Sequence, residues 1–158
     1  MTNWTQKTQE ILNEKTENYT TQEKANINFE YLKNLLAKIE DNHIPQSELL
    51  CSKMEQVING IQHKTPEQKV QYKTKNLNDI TNLQTFVEEN FKYIQKGKFK
   101  RSYVSKGMIF GMSFGIAIGA AFGKLAIGLS VGMLWGLGIG GFIGSNLDRK
   151  AEMENRVL

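Results

Sequence analysis

Two histidines (His43 and His63), one cysteine (Cys51) and an adjacent acidic pair (Glu88 and Glu89) are the first candidates for chemistry in this 158-residue chain. Each histidine falls near the end of a predicted helix, an ordinary place for a partly cationic side chain. Neither is accompanied by the Cys/His/carboxylate spacing of a metal site. Glu88 and Glu89 are consecutive, so on a helix they point about 100° apart and form no facing carboxylate pair. A lone cysteine leaves no internal disulfide and reads as a small, half-buried thiol. There is no G-x-S-x-G, no phosphate-binding loop and no nucleophile–base pairing. The string Gly136, Gly138, Gly140 lies inside an apolar run and not between a strand and a helix, so it is a poor dinucleotide signature. The sequence predicts no enzyme, no cofactor and no metal.

The elements that carry these residues fall into two unlike parts, which the mean hydropathy of −0.42 conceals. Residues 1–95 are polar, with 11 Lys against 13 Asp and Glu, one glycine and both prolines. Apolar residues at three-to-four spacing predict four amphipathic helices there. The first carries Trp4, Ile11, Leu12 and Tyr19. The second opens on a Thr20/Glu23 capping box and runs through Phe29, Leu32, Leu35, Leu36 and Ile39 to a stop at Asp41–Asn42. The third opens at Pro45 and carries Leu50, Met54, Val57 and Ile58. The fourth opens at Thr65–Pro66 and carries Val70, Leu77, Ile80, Leu83, Val87, Phe91 and Ile94. Short joints between such helices predict an antiparallel four-helix bundle over 1–95. The heptad-like spacing after Val70 suits either its core or a coiled-coil contact between protomers.

Residues 96–106 form a basic collar of Lys96, Lys98, Lys100, Arg101 and Lys106 without an acid. The basic pI therefore comes from a short segment. With three arginines and no periodic basic stripe, nucleic acid is not an expected partner. The opening MTNWTQKTQE has no basic stretch followed by an apolar one, so no secretory signal is expected.

Residues 107–145 raise the sharper question. Glycine falls at every fourth position at Gly107, Gly111, Gly115, Gly119 and Gly123, and again at Gly128, Gly132, Gly136, Gly140 and Gly144. Each costs a helix in water roughly 0.8–1.0 kcal/mol relative to alanine. The residue before each internal glycine is large and apolar: Phe110, Phe114, Ile118 and Phe122, then Val131, Trp135, Ile139 and Ile143. Disordered glycine tracts do not hold bulk at a fixed phase, and the polar half is too small to bury a largely apolar run of 38 residues. A bilayer can accommodate them. In lipid, small residues let helices approach closely, and the backbone stays helical because it has no other partner. Folding the chain back between Leu125 and Ala126 pairs the rows as Gly107–Gly144, Gly111–Gly140, Gly115–Gly136, Gly119–Gly132 and Gly123–Gly128. That leaves a four-residue joint, KLAI. Lys124, the one charge in the run, then marks the far side.

The stretch GMSFGIAIGAAFGKLAIGLSVGMLWGLGIGGFIG resembles the glycine-zipper membrane segments of many small bacterial membrane proteins, pore-forming and channel proteins among them. The resemblance implies close membrane packing and covers about a quarter of the chain. The expected fold is all-α, a cytosolic bundle followed by a two-helix transmembrane hairpin, with 146–158 as a polar cytosolic tail. Basic residues at both ends of the hairpin, with Arg149 and Lys150 joining the collar, place both termini in the cytoplasm of a cell (inner) membrane. Lys96, Lys98, Lys100, Arg101, Lys106 and Lys124 are the expected headgroup contacts. A second small row, Ser113, Ala117 and Ala121, is the expected contact with a neighbouring protomer. These features predict a homo-oligomeric membrane pore or membrane-perturbing effector, in bacterial defence or as a toxin, gated or assembled by the cytosolic bundle. The alternative is a membrane-anchored adaptor that docks a partner protein on an exposed face of its fourth helix.

Overall fold

The computed structural model describes residues 2–65 and 74–158. The described residues are all-helical: α1 (Thr2–Thr16), α2 (Thr21–Asn26), α3 (Phe29–Glu40), α4 (Glu48–Gly60), α5 (Thr74–Phe91), α6 (Lys98–Ala121) and α7 (Leu125–Met153). They divide into two compact units, residues 1–94 with Leu158, and residues 95–157.

In the first unit α1 packs on α3 and α4, α2 on α3, and α4 on α5. Its centre is fully buried Leu12, Leu32, Leu35, Leu50, Met54, Leu83 and Val87. The second predicted helix is in fact two. The Thr20/Glu23 capping box forms, with Thr20 N–H donating to Glu23 Oε2 at 2.8 Å and Glu23 N–H donating to Thr20 Oγ1 at 3.3 Å. The helix then breaks at Asn28, which adopts φ +53°, a conformation asparagine tolerates better than most residues. The break has a packing reason. Ile27, Phe29, Tyr31 and Leu32 are all buried, and positions two apart lie about 200° round an unbroken helix and could not all face one core.

The other departures are similarly local. Ser47, not Pro45, begins α4: its hydroxyl accepts from Leu50 N–H at 3.2 Å, a side-chain cap that proline cannot supply. Lys15 closes the other end of α4, donating to the carbonyls of Ile58 (3.0 Å), Asn59 (3.2 Å) and Ile61 (3.0 Å). Burial lowers the pKa of that ammonium. The expected Pro66 start of the last bundle helix, and Val70, lie outside the described residues. The stripe on α5 does not form an exposed docking face. Ile80, Leu83 and Val87 are buried in the core and Leu77 is exposed, because this face closes the bundle against α4.

Lys64 and Glu23 form a bridge between distant parts of this unit. Lys64 Nζ donates to Glu23 Oε2 at 2.7 Å and to Oε1 at 3.0 Å. Leu158 is buried in the same unit, and its N–H donates to the Ile94 carbonyl at 2.9 Å.

Candidate functional site

The second unit is built on α6 and α7, whose 24 and 29 residues are long and apolar enough to cross a membrane. They pack side by side in opposite directions, and the contact is backbone on backbone. A methyl group placed on Gly111 would lie 2.8 Å from the Gly136 Cα and closer still to the Gly132 carbonyl oxygen. On Gly115 it would lie 3.0 Å from the Gly132 Cα, on Gly107 3.1 Å from the Gly140 Cα, and on Gly119 3.0 Å from the Gly128 Cα. The carbonyl encounters are reciprocal in three pairs, Gly107 with Gly136, Gly111 with Gly132 and Gly115 with Gly128. Where a side chain would project, glycine carries a hydrogen aimed at a carbonyl oxygen. This is the Cα–H···O arrangement of close helix pairs, with about 0.5–1 kcal/mol per contact.

The register differs from the one-to-one pairing expected above. Gly111 sits between Gly132 and Gly136, and Gly115 between Gly128 and Gly132, so the two rows interdigitate. The turn explains the shift. Gly123 takes φ +67° one residue past Phe122, the C-cap of α6. Its N–H donates to Ala120 O at 3.1 Å and that of Lys124 to Gly119 O at 2.7 Å, the bonding of a Schellman end. Leu125 then starts α7 at once. The joint is therefore Phe122–Lys124 and not KLAI, and α7 is drawn one to two turns along α6, since Gly111 lies between Gly132 and Gly136 where Gly140 was expected. Gly123 consequently makes no interhelical contact. Gly140 lies between Gly107 and the backbone of Tyr103–Val104, and Gly144 passes beyond the α6 glycines onto the backbone of Phe99–Lys100.

Asp148 closes the base of the pair, a role the sequence reading missed. The residue at the α6 N-cap, Gly97, has no side chain to cap with. Asp148 on α7 supplies both oxygens instead, accepting from Phe99 N–H at 3.0 Å and Lys100 N–H at 2.9 Å. The available signal was that Asp148 is the first acid after Glu89. The basic residues gather at this same end. Lys98, Lys100 and Arg101 occupy the first turn of α6, with Lys96 just before it. Cations at a helix N-terminus oppose the helix dipole, so helix stability does not account for them. Lys106 lies two turns in, its ammonium 5.6 Å from the centre of the Tyr103 ring. Lys124 is exposed at the opposite end, in the turn.

Away from the seam, the pair exposes large apolar side chains. Phe110, Phe114, Trp135 and Phe142 are 67–72% exposed. A soluble core helix would be mostly buried, whereas 11% of each apolar span is. Ser113, Ala117 and Ala121 are exposed on α6 and take no part in the glycine seam. Ser113 and Ser130 donate to carbonyls of their own helices, Ile109 O at 3.0 Å and Ala126 O at 2.9 Å. On one side of the seam lies a groove of about 680 Å³. Glycines floor it, and the residues preceding them wall it: Phe110, Phe114 and Ile118 on α6, and Val131, Trp135, Ile139 and Ile143 on α7.

The early chemical candidates do not assemble into a reactive centre. Burial pushes the Cys51 thiol up, against a hydrogen bond with Gln46 that pulls it down. Among the described residues no three His, Cys, Asp or Glu side chains group closely enough to hold a metal ion. No family model, curated protein or solved structure matches this chain, so its own geometry carries the reading of the site.

Proposed function

We propose that α6 and α7 insert into a bilayer as a glycine-zipper hairpin, and that the protein is a homo-oligomeric, membrane-perturbing effector whose first unit controls assembly. One observation carries this reading: two long apolar helices meet through glycine backbone and turn their bulky apolar side chains outward. In water this arrangement discards the burial that holds soluble helices together. In lipid it is favourable, because close backbone packing replaces that burial. At about 36 and 44 Å by helical rise, both helices exceed a hydrocarbon core of about 30 Å. The cations at the base then lie at the cytoplasmic headgroups of the cell (inner) membrane, with both termini on that side. Oligomerisation draws on the exposed Ser113, Ala117 and Ala121 row.

A second reading, a membrane-anchored adaptor, is favoured by one observation. Both serine hydroxyls are satisfied by their own helices, so they offer little to line a wet passage. Three measurements on the full chain separate the readings. The chain must partition with membranes and need detergent for release; recovery in the aqueous fraction refutes both. Its mass in detergent must exceed that of a monomer and fall in Ala117→Leu. Induced expression must collapse the membrane potential reported by a voltage-sensitive dye. An oligomer that leaves the potential intact favours the adaptor, and a monomer removes the effector.

A further inference from the structure

We propose that the groove beside the glycine seam holds one acyl chain of an anionic phospholipid from the leaflet at the basic end, with the headgroup phosphate paired to Lys106. The proposal rests on the membrane reading above.

The groove has the form of a lipid tail site. Its floor is glycine backbone, and its walls are aromatic and branched apolar side chains, with Phe114 and Trp135 on opposite helices. It extends from Tyr103 and Lys106 at the basic end to Ile118 and Gly128 toward the turn. At 1.5 Å per residue this is roughly 20 Å, somewhat more than the ~15 Å that half of a hydrocarbon core provides. About 680 Å³ spread over that length is room enough for an extended hydrocarbon chain.

Charge fixes which lipid and which way round. Lys106 lines the mouth and is exposed. Among the described residues it has no carboxylate partner, its recorded contact being the Tyr103 ring. The first acid on α7 beyond the groove, Asp148, spends both oxygens on the α6 backbone. The turn end of the groove carries no charged lining residue. The site is therefore an apolar trough with a cation at one end, the complement of an anionic amphiphile.

The test uses the full chain carrying Trp4→Phe, which leaves Trp135 on the groove wall as the reporter. It is reconstituted in phosphatidylcholine vesicles in which a fraction of the lipid has brominated chains, on either phosphatidylglycerol or phosphatidylcholine. Brominated phosphatidylglycerol should quench Trp135 with about fivefold higher apparent affinity, the effect of one lysine near the surface. Lys106→Gln and the groove-filling Val131→Phe should each bring that preference close to one. Lys106→Arg, which keeps the charge at the mouth, should retain it. Equal quenching by the two lipids, or a preference that survives in Val131→Phe, overturns the site while insertion stands. Quenching by neither lipid overturns the site and the membrane reading together.

Discussion

Gly111→Ala separates backbone packing from helix propensity, because the two predict opposite signs. Alanine is the better helix former by about 0.8–1.0 kcal/mol in water, so propensity alone makes the variant more stable. The structure predicts the reverse. The new methyl would lie 2.8 Å from the Gly136 Cα and closer to the Gly132 carbonyl. Both neighbours are backbone and cannot rotate aside, so the helices must separate by some tenths of an ångström up to about 1 Å. A gap of 0.5–1 Å forfeits a quarter to a half of each dispersion contact. The reciprocal Cα–H···O contacts of Gly111 and Gly132 account for about 1–2 kcal/mol, and overpacking adds typically 1–3 kcal/mol. Set against the propensity gain, the net loss is about 1–4 kcal/mol. Gly138 is the internal control. It lies on the same helix α7 as Gly132 and Gly136, with nothing within 4 Å of an added methyl. Thermal unfolding of the full chain in detergent, followed by helical circular dichroism, should rank Gly111→Ala below the parent and Gly138→Ala at or above it. If Gly111→Ala matches or exceeds the parent, the close contact does not hold the pair together and the reasoning fails.

Three further outcomes follow from particular side chains. Asp148→Ala should destabilise the hairpin by about 1 kcal/mol, the usual cost of a lost N-cap, and Asp148→Asn, whose amide offers one acceptor oxygen to the two N–H groups, should lose part of it in the same melt; no loss in Asp148→Ala would mean that these bonds do not hold the base. Glu23 is held at about 2, below its ordinary 4.5, first by the Lys64 hydrogen bonds. Because the folded value is the lower one, its contribution is fully present above pH 4.5 and is lost as pH falls toward 2. Denaturation of the first unit followed by Trp4 fluorescence should weaken across that window, and less steeply in Glu23→Gln. Among the described residues the buried Tyr31 hydroxyl has no hydrogen-bond partner, and burial, then Glu88, raises its pKa. Tyr31→Phe removes an unsatisfied group and should stabilise the first unit by about 1 kcal/mol; a loss of that size would mean the hydroxyl is bonded in solution.

The all-helical character and the two long C-terminal helices were legible because each rests on periodicity, which side-chain burial or exposure enforces along a whole element. Thr20 with Glu23 was legible for the same kind of reason, a local pattern satisfying local donors. The break at Asn28 was not. Its cause is that Ile27, Phe29 and Tyr31 must all reach one core, a tertiary demand that overrides an acceptable helical stripe. The hairpin register failed by one to two turns for a subtler reason. Two rows of period four can be paired about several centres, and the choice depends on the turn. Gly123 was recognised as a helix-ending residue, but its Schellman bonds and the immediate start of α7 at Leu125 are matters of geometry. Asp148 shows the limit most clearly. Its partners, Phe99 and Lys100, stand 48–49 residues earlier, and no spacing rule connects them. The bulk before each glycine was visible, but that it forms the walls of a groove follows only once the two helices are set in register.

The two small-residue rows on α6 answer different needs. Ser113, Ala117 and Ala121 each follow a row glycine by two positions, which on a helix is a rotation of about 200°. A helix cannot present both rows to one neighbour. The glycine row is consumed by α7 through contacts that admit no side chain, and this pairing leaves the second row exposed. In water an exposed row of small residues is unremarkable. In lipid it is a place where another helix can approach closely without displacing bulk, and so the membrane proposal leads to the oligomer proposal. The serines limit what such an assembly does. With both hydroxyls turned back on their own carbonyls, rings of this hairpin would meet through apolar and small side chains. A passage between them would be a hydrophobic constriction that conducts only when widened, gated by dewetting and not lined for permanent flow.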